Sequence, residues 1–369
     1  MIDTSDAEGT RNRDAIRESL SLSLYDRLKV PVGLLVLVLV LRPVVSSNLL
    51  LGYGQAATTM LIWMLFAAGF NLLLGYTGVL SFGHAMFFGT GMYAVAIGLA
   101  KFDVPFLAGA VIALVLAGCF AYLIGRLIVD KGEIYFAMLT IAFGEAFYFV
   151  VNQDPWGLTG GSNGLSQGTM PSWIMTYRGD KFLSLAGVYV DWYWAVAAAF
   201  LVAMLVLWQV VRSPFGRTLV SIRENPELAR AMGVDVARYK VSAFTLSAVF
   251  AAAAGVLLEI NDQGAVIHTF HWSVGGQVVF MSILGGMNYF AGPLAGAFVW
   301  QFVSNYLSAF QTLALPMATY DVNDLMVHWR FLLGLLFVVI IIVSPREGVW
   351  GFLHRAGAAI RTAVEEVRE

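Results

Sequence analysis

Few residues of this chain belong to types that do covalent chemistry. The histidines His84, His268, His271, His328 and His354 are scattered, and the one cysteine, Cys119, lies inside an apolar run. The sequence has no H-E-x-x-H pair, no G-x-x-x-x-G-K-[ST] stretch and no nucleophile–base spacing. The chain therefore has no P-loop of its own for ATP, and the spacing suggests no metal site. A lone thiol makes no internal disulfide, and Cys119 reads as a packing residue. What remains is polar chemistry in apolar surroundings. Glu145 stands in the middle of TIAFGEAFYFV, where a carboxyl is costly. It either clamps two helices by hydrogen bonding or faces a polar pathway. His84 opens an apolar run and reads as a satisfied packing histidine before it reads as a solute ligand, and Asn71 and Asn288 read as glue between helices. Glu259, near the outer end of its run, is expected to snorkel.

Two glycine clusters accompany these groups. Gly75, Gly78, Gly83, Gly89 and Gly91 form the first, and Gly285, Gly286, Gly292 and Gly296 the second. Breaks at glycine free backbone N–H and C=O groups that can cradle a polar solute. Gly75, Gly78, Gly83, His84, Glu145, Gly285 and Gly286 are accordingly the pathway candidates. The same glycines suit tight helix packing, Gly292 and Gly296 forming a G-x-x-x-G pair, and the two roles are compatible. A third polar feature is the segment RTLVSIRENPELARAMGVDVARY at 217–239. Asn225 is an N-cap, Pro226 a first helical residue and Gly233 a terminator. Between them Leu228, Ala231 and Met232 share one face and Glu227 and Arg230 the other. Such a knob either docks into another protein's groove or lies on a membrane surface. A last cluster, Thr159 to Leu165, has glycines at 160, 161 and 164 and marks tight turns.

The elements holding these groups are membrane spans. The chain has 369 residues, 59% of them hydrophobic and only 12% charged, with a net charge of −2, and a mean hydropathy of +0.75. So little polar surface cannot cover a water-soluble globule, and the charge balance gives no reason to expect nucleic acid. The fold class expected is all-α: about ten transmembrane helices, near 30–46, 56–74, 84–100, 106–126, 134–151, 192–211, 241–260, 276–290, 291–313 and 329–344. The third and eighth are short and glycine-rich, hence broken or re-entrant. Basic residues concentrate before 30, at 212–240 and after 345, which places these segments and both termini in the cytoplasm. The loops 152–191 and 314–328 are outside. Two sets of crossings in opposite orientations make an inverted repeat. Residues 1–29 form a cytoplasmic N-terminal segment, not a signal peptide, with an amphipathic helix over 14–29 and disorder before it. Residues 30–345 form the membrane domain, and 346–369 a helical cytoplasmic tail.

Several stretches resemble a known family. These are NLLLGYTGVLSFGHAMFFGTGMY at 71–93, YFAMLTIAFGE at 135–145, TGGSNGL at 159–165, the whole of 213–255 and GGMNYFAGPLAGA at 285–297. They resemble the permease subunits of branched-chain amino acid ABC importers, specifically the longer of the two permeases, and their urea and amide relatives. The resemblance implies a transport subunit rather than an enzyme, in a plasma (inner) membrane. It implies that Ile222–Gly233 is a coupling helix, with Arg223, Glu224, Asn225, Pro226, Glu227, Leu228, Arg230, Met232 and Gly233 seated in a cytoplasmic ATPase that holds ATP and Mg. It further implies a second homologous permease as heterodimer partner. An extracytoplasmic solute-binding protein would deliver a small polar solute to the face bearing Gly160, Gly161 and Gly164. An ion-coupled secondary carrier is the other class to weigh, and Glu145 is its one good candidate for an ion-linked charge.

Overall fold

The computed structural model describes residues 28–46, 54–165, 183–185, 188–309, 312–315 and 318–321, with short pieces between 331 and 355. It forms two units, which meet in sequence between Ala57 and Thr58. The first holds α1 (Leu28–Val45), a single apolar span. The expected amphipathic helix at 14–29 and the disordered stretch before it lie outside the described residues, apart from the start of α1.

The second unit begins within α2 (Gly54–Thr77) and continues with α3 (Ala85–Phe102), α4 (Phe106–Ile128) and α5 (Glu133–Gln153). After the loop expected outside come α6 (Trp192–Arg212), α7 (Pro214–Glu224), α8 (Pro226–Ala231), α9 (Val236–Asp262), α10 (Trp272–Gly285) and α11 (Gly292–Ala309). Among the described residues, seven helices are long and apolar enough to cross a membrane: α1 to α6 and α9. The all-α expectation needs one addition. Two small antiparallel hairpins, β1 (Leu183–Leu185) with β2 (Val188–Val190) and β3 (Thr312–Leu315) with β4 (Ala318–Asp321), sit in the connections read as outer loops. In the last expected span the described residues between 331 and 342 are helical, and most of the tail after 345 lies outside the described residues.

Side-chain pattern explains the packing. α2 is apolar on all sides and buried on all sides, from Met60 through Phe66 and Phe70 to Leu73, as a central helix must be. α9 packs along α3 and α4, and small residues bring the backbones together. Gly91 faces the Ala252 carbonyl and Gly255 the Phe88 carbonyl, where any Cβ would collide. The inward face of α4 is Gly109, Ala113, Ala117, Ala121 and Gly125, a small residue at every fourth position. Its other face, with Leu107, Val111, Val115, Leu123 and Leu127, is exposed and suits lipid. Cys119 is also exposed, so the expectation of a packed core thiol is corrected.

Of the two helices expected to be short, glycine-rich and broken, only the eighth is short: α3 runs unbroken for 18 residues and is long enough to cross. α10 has 14 residues, about 21 Å at 1.5 Å per residue, less than a hydrocarbon core of ~30 Å. It overlaps the expected 276–290 but starts and ends earlier, at Trp272 and Gly285. Gly286, at φ 103, stops it, and His271 starts it by accepting the Ser273 N–H. At its end Gly285 and Gly296 meet so closely that a Cβ on either would strike backbone. The G-x-x-x-G packing reading therefore holds for the α10–α11 crossing.

Candidate functional site

The polar segment between α6 and α9 folds as two helices and a turn. Ser213 opens α7, its Oγ accepting the Gly216 N–H, and Pro214 takes the first helical position. Asn225, extended at φ −156 and ψ 97, ends α7 and starts α8. Its Oδ1 accepts the Leu228 N–H at 2.9 Å, which satisfies one orphan donor of the new helix. At the far end Gly233 adopts φ +86. Its N–H bonds the Arg230 carbonyl at 2.9 Å, and the Val234 N–H reaches back to Ala229 at 3.0 Å, the closure that a left-handed residue permits. Asp235 then caps α9 through the Arg238 N–H at 3.1 Å.

Beneath this peg is a small core of Ile222, Ala229 and Val236, flanked by Val234 and Tyr239. Phe215 stacks on Tyr239 at 5.6 Å. Ala229 is thus the inward anchor of α8, a role its spacing did not single out. Leu228 and Met232 point outward, 60% and 78% exposed. Glu224, Glu227, Arg230, Ala231 and Gly233 are exposed as well, and Pro226 is half-buried. Arg223 departs from expectation. Its guanidinium turns away from the exposed face and bonds the Gly75 carbonyl at the end of α2 and Asn288 Oδ1 at 3.0 Å. It also pairs with Glu224 at 2.7 Å.

The pathway candidates separate into groups. Gly75 backs onto the Met287 carbonyl and Gly78 clears the stem of Arg223; Asn71 Nδ2 donates to the Met287 carbonyl at 3.1 Å. These residues knit the end of α2 to the α10–α11 turn, where Gly286 sits. Gly83 presses on the Thr140 carbonyl of α5. His84 is fully buried. Its Nε2 is 2.8 Å from Ser247 Oγ, whose own hydrogen goes to the Gly69 carbonyl at 2.8 Å. Ser247 must then accept, so Nε2 carries the proton. Nδ1 bonds Ser81 at 3.1 Å, and the rings of Phe70, Phe87 and Phe244 surround the imidazole edge-on. Ser247, unremarked in the sequence, completes this packed histidine.

Glu145 differs, because its Oε1 is buried without a hydrogen-bond partner. One turn along α5, Tyr148 meets His271 edge-on at 5.7 Å, and His271 stacks on His268 at 5.8 Å. The H-x-x-H spacing at 268–271 was the signal for this pairing. Glu259 does not snorkel. It is fully buried and neither carboxyl oxygen has a partner, because α9 extends to Asp262 and keeps this position inside the packed bundle.

The α5–α6 loop, expected on the outer side, is organised by Asp154. Its carboxylate accepts the N–H groups of Leu158 at 2.6 Å, Thr159 at 2.9 Å and Gly160 at 3.0 Å. The Thr159 bond foremost holds the carboxyl below its ordinary pKa. Leu165 pairs with Ala265 through two bonds of 2.9 Å, clamping the loop to the α9–α10 connection. Gly160 is exposed, but Gly161 is buried and Gly164 lies against the Ala265 carbonyl and Tyr93. Of the three glycines expected to meet a binding protein, Gly160 is thus the exposed one. The missing Cβ atoms of Gly161 and Gly164 serve the loop's own packing.

A family model described as the branched-chain amino acid transport system permease component matches residues 52–344. The chain is 29% identical over 251 residues to the high-affinity branched-chain amino acid transport system permease protein LivM of Escherichia coli, covering 64% of this chain and 59% of that protein. LivH of the same organism is 26% identical over 255 residues, with 64% of this chain and 79% of that protein covered. The fructose import permease protein FrcC of Rhizobium meliloti is 27% identical over 173 residues, covering 46% of this chain and 45% of that protein. Beside LivM, then, the chain spans 59% of the relative's length. A helical membrane architecture with several apolar crossings, and a match over most of its length, place this chain in the family of branched-chain amino acid transport permease components.

Proposed function

We propose that the chain is the membrane permease of an ATP-driven (ABC) importer and forms the passage for branched-chain or related amino acids. One observation carries this reading: α8 is capped at both ends, anchored by Ala229 alone, and leaves Leu228 and Met232 bare to solvent. A rigid apolar knob of this kind suits a groove on a separate ATP-hydrolysing subunit, and that subunit supplies ATP and Mg. The docking set is Leu228 and Met232 with Glu227 and Arg230 around them.

In this reading the chain crosses an inner membrane about ten times, in two halves of opposite orientation, with both termini and the 212–240 loop in the cytoplasm. The short α10, with irregular backbone at 263–271 and 286–291 on either side, is in keeping with an inverted layout built on broken helices. Residues 30–345 make the permease domain, flanked by cytoplasmic segments 1–29 and 346–369. A second homologous permease completes the pathway, and an external solute-binding protein meets the outer loop near Gly160. The unpartnered oxygen of Glu145 supports α5 as a pathway wall, with Gly83 and His84 behind it. The solute is small and polar; leucine-like amino acids lead, and urea or amides follow.

The experiment is uptake by the purified complex in vesicles. Leucine accumulation that requires ATP inside and the binding protein outside supports the reading. Accumulation by this chain alone, driven by an ion gradient with ATP depleted, assigns it to the secondary carriers.

A further inference from the structure

Three elements meet at one guanidinium. Arg223 is the penultimate residue of α7, two residues before Asn225, which caps α8. Its Nη1 donates both to the Gly75 carbonyl and to Asn288 Oδ1, 3.0 Å away, while Nη2 and Nε hold Glu224 at 2.7 and 3.3 Å. The Gly75 carbonyl is among the last four of α2, which no intrahelical partner satisfies, and a cation there also complements the helix dipole. Asn288 belongs to the α10–α11 turn. The same two membrane elements are tied again one turn deeper by Asn71 Nδ2 and the Met287 carbonyl, 3.1 Å apart. Gly78 makes room for the arrangement. At φ +76, it has Arg223 Cγ 2.8 Å from where a Cβ would stand.

We infer that Arg223 is the positioning residue through which displacement of α8 moves the end of α2 and the α10–α11 turn together. The inference rests on the reading of α8 as the docking knob. By contrast, the peg meets α9 through apolar packing, the Ile222–Ala229–Val236 core and the Phe215–Tyr239 stack, whereas Arg223 gives rigid-body motion of α7 and α8 a directional attachment to α2 and the α10–α11 turn. Hydrogen bonds suit this task because they hold or break over about an ångström, which gives discrete arrangements rather than a graded drag. Only arginine supplies the planar fork that bonds two elements and Glu224 at once; lysine offers one point charge.

The test uses the full transporter in vesicles and reads solute moved per ATP hydrolysed, together with subunit co-purification and melting temperature. Arg223→Gln and Arg223→Lys should both keep the ATPase bound and hydrolysing while transport per ATP falls roughly tenfold. Asn288→Ala should lower the ratio less, and Asn288→Asp, which keeps an acceptor for the guanidinium, should retain it. Arg223→Gln combined with Asn288→Ala should be no worse than Arg223→Gln alone. A wild-type ratio in Arg223→Gln overturns the inference. So does a loss that follows melting temperature and is fully restored by Arg223→Lys, which would make Arg223 a helix cap only. Failure of the function reading looks different: the wild-type chain would then transport without any ATP-hydrolysing companion.

Discussion

The peg, read as cytoplasmic, and the α5–α6 loop, read as outer, are both short folded excursions between spans, and they end in opposite states. The outer loop satisfies itself. Asp154 gathers three N–H groups, Leu165 and Ala265 pair, and two of its three central glycines are turned inward. The peg satisfies its backbone through Asn225, Gly233 and Asp235 but leaves two large apolar side chains in solvent. Exposed apolar residues beside a rigid, well-capped backbone indicate a surface made to be covered. The difference teaches that side-chain satisfaction, not the presence of order, separates a structural loop from a docking element.

Three experiments can break or sharpen that contrast. The largest effect belongs to Leu228→Asp. Removing a buried anchor from an interface costs about 2 kcal/mol or more, so ATP-dependent transport should fall by at least roughly tenfold. Surface substitution leaves stability within about 0.5 kcal/mol, and an unchanged melting curve in detergent is the check. The reverse pattern is expected for Gly164→Val in the outer loop. Its side chain would strike the Ala265 carbonyl in a left-handed conformation, and overpacking of this kind costs about 1–3 kcal/mol. Melting temperature and expression should drop, with transport falling only in proportion to folded protein. The smallest effect is the acid response of the loop. Hydrogen bonds from Thr159 foremost depress the Asp154 pKa, so its contribution is present above the ordinary carboxylate value of about 3.9 and is lost as pH falls through the lower folded value. Protection of the Leu158, Thr159 and Gly160 amides, relative to their intrinsic exchange, should fall at that acid extreme, and Asp154→Asn should show the lower protection already at neutral pH.

The parts of the molecule that obey local rules were legible in the sequence. Asn225, Pro226 and Gly233 act on neighbours within one turn, and the structure uses each as its residue type suggests. Most spans followed from apolar length alone. Long-range placement was not readable. Arg223 looked like part of the exposed knob because its partners, Gly75 and Asn288, lie 148 and 65 residues away. Glu259 looked free to snorkel because its position near a helix end says nothing of the helices packed around it. Gly161 and Gly164 could not be told from Gly160, since turn composition does not show which glycine faces inward. His84 was read as a packed residue, yet Ser247, 163 residues on, was invisible until the fold joined them.

Leu228→Cys in a Cys119→Ser background gives the most direct test of the central claim, that α8 is covered by a separate ATP-hydrolysing subunit. In membranes holding the assembled transporter, a short bifunctional thiol-to-amine cross-linker should join this position to the ATPase, and a membrane-impermeant maleimide added from outside should leave the thiol unlabelled. Labelling from the outer side, or an accessible thiol that never cross-links to an ATPase in an actively transporting complex, would contradict the account.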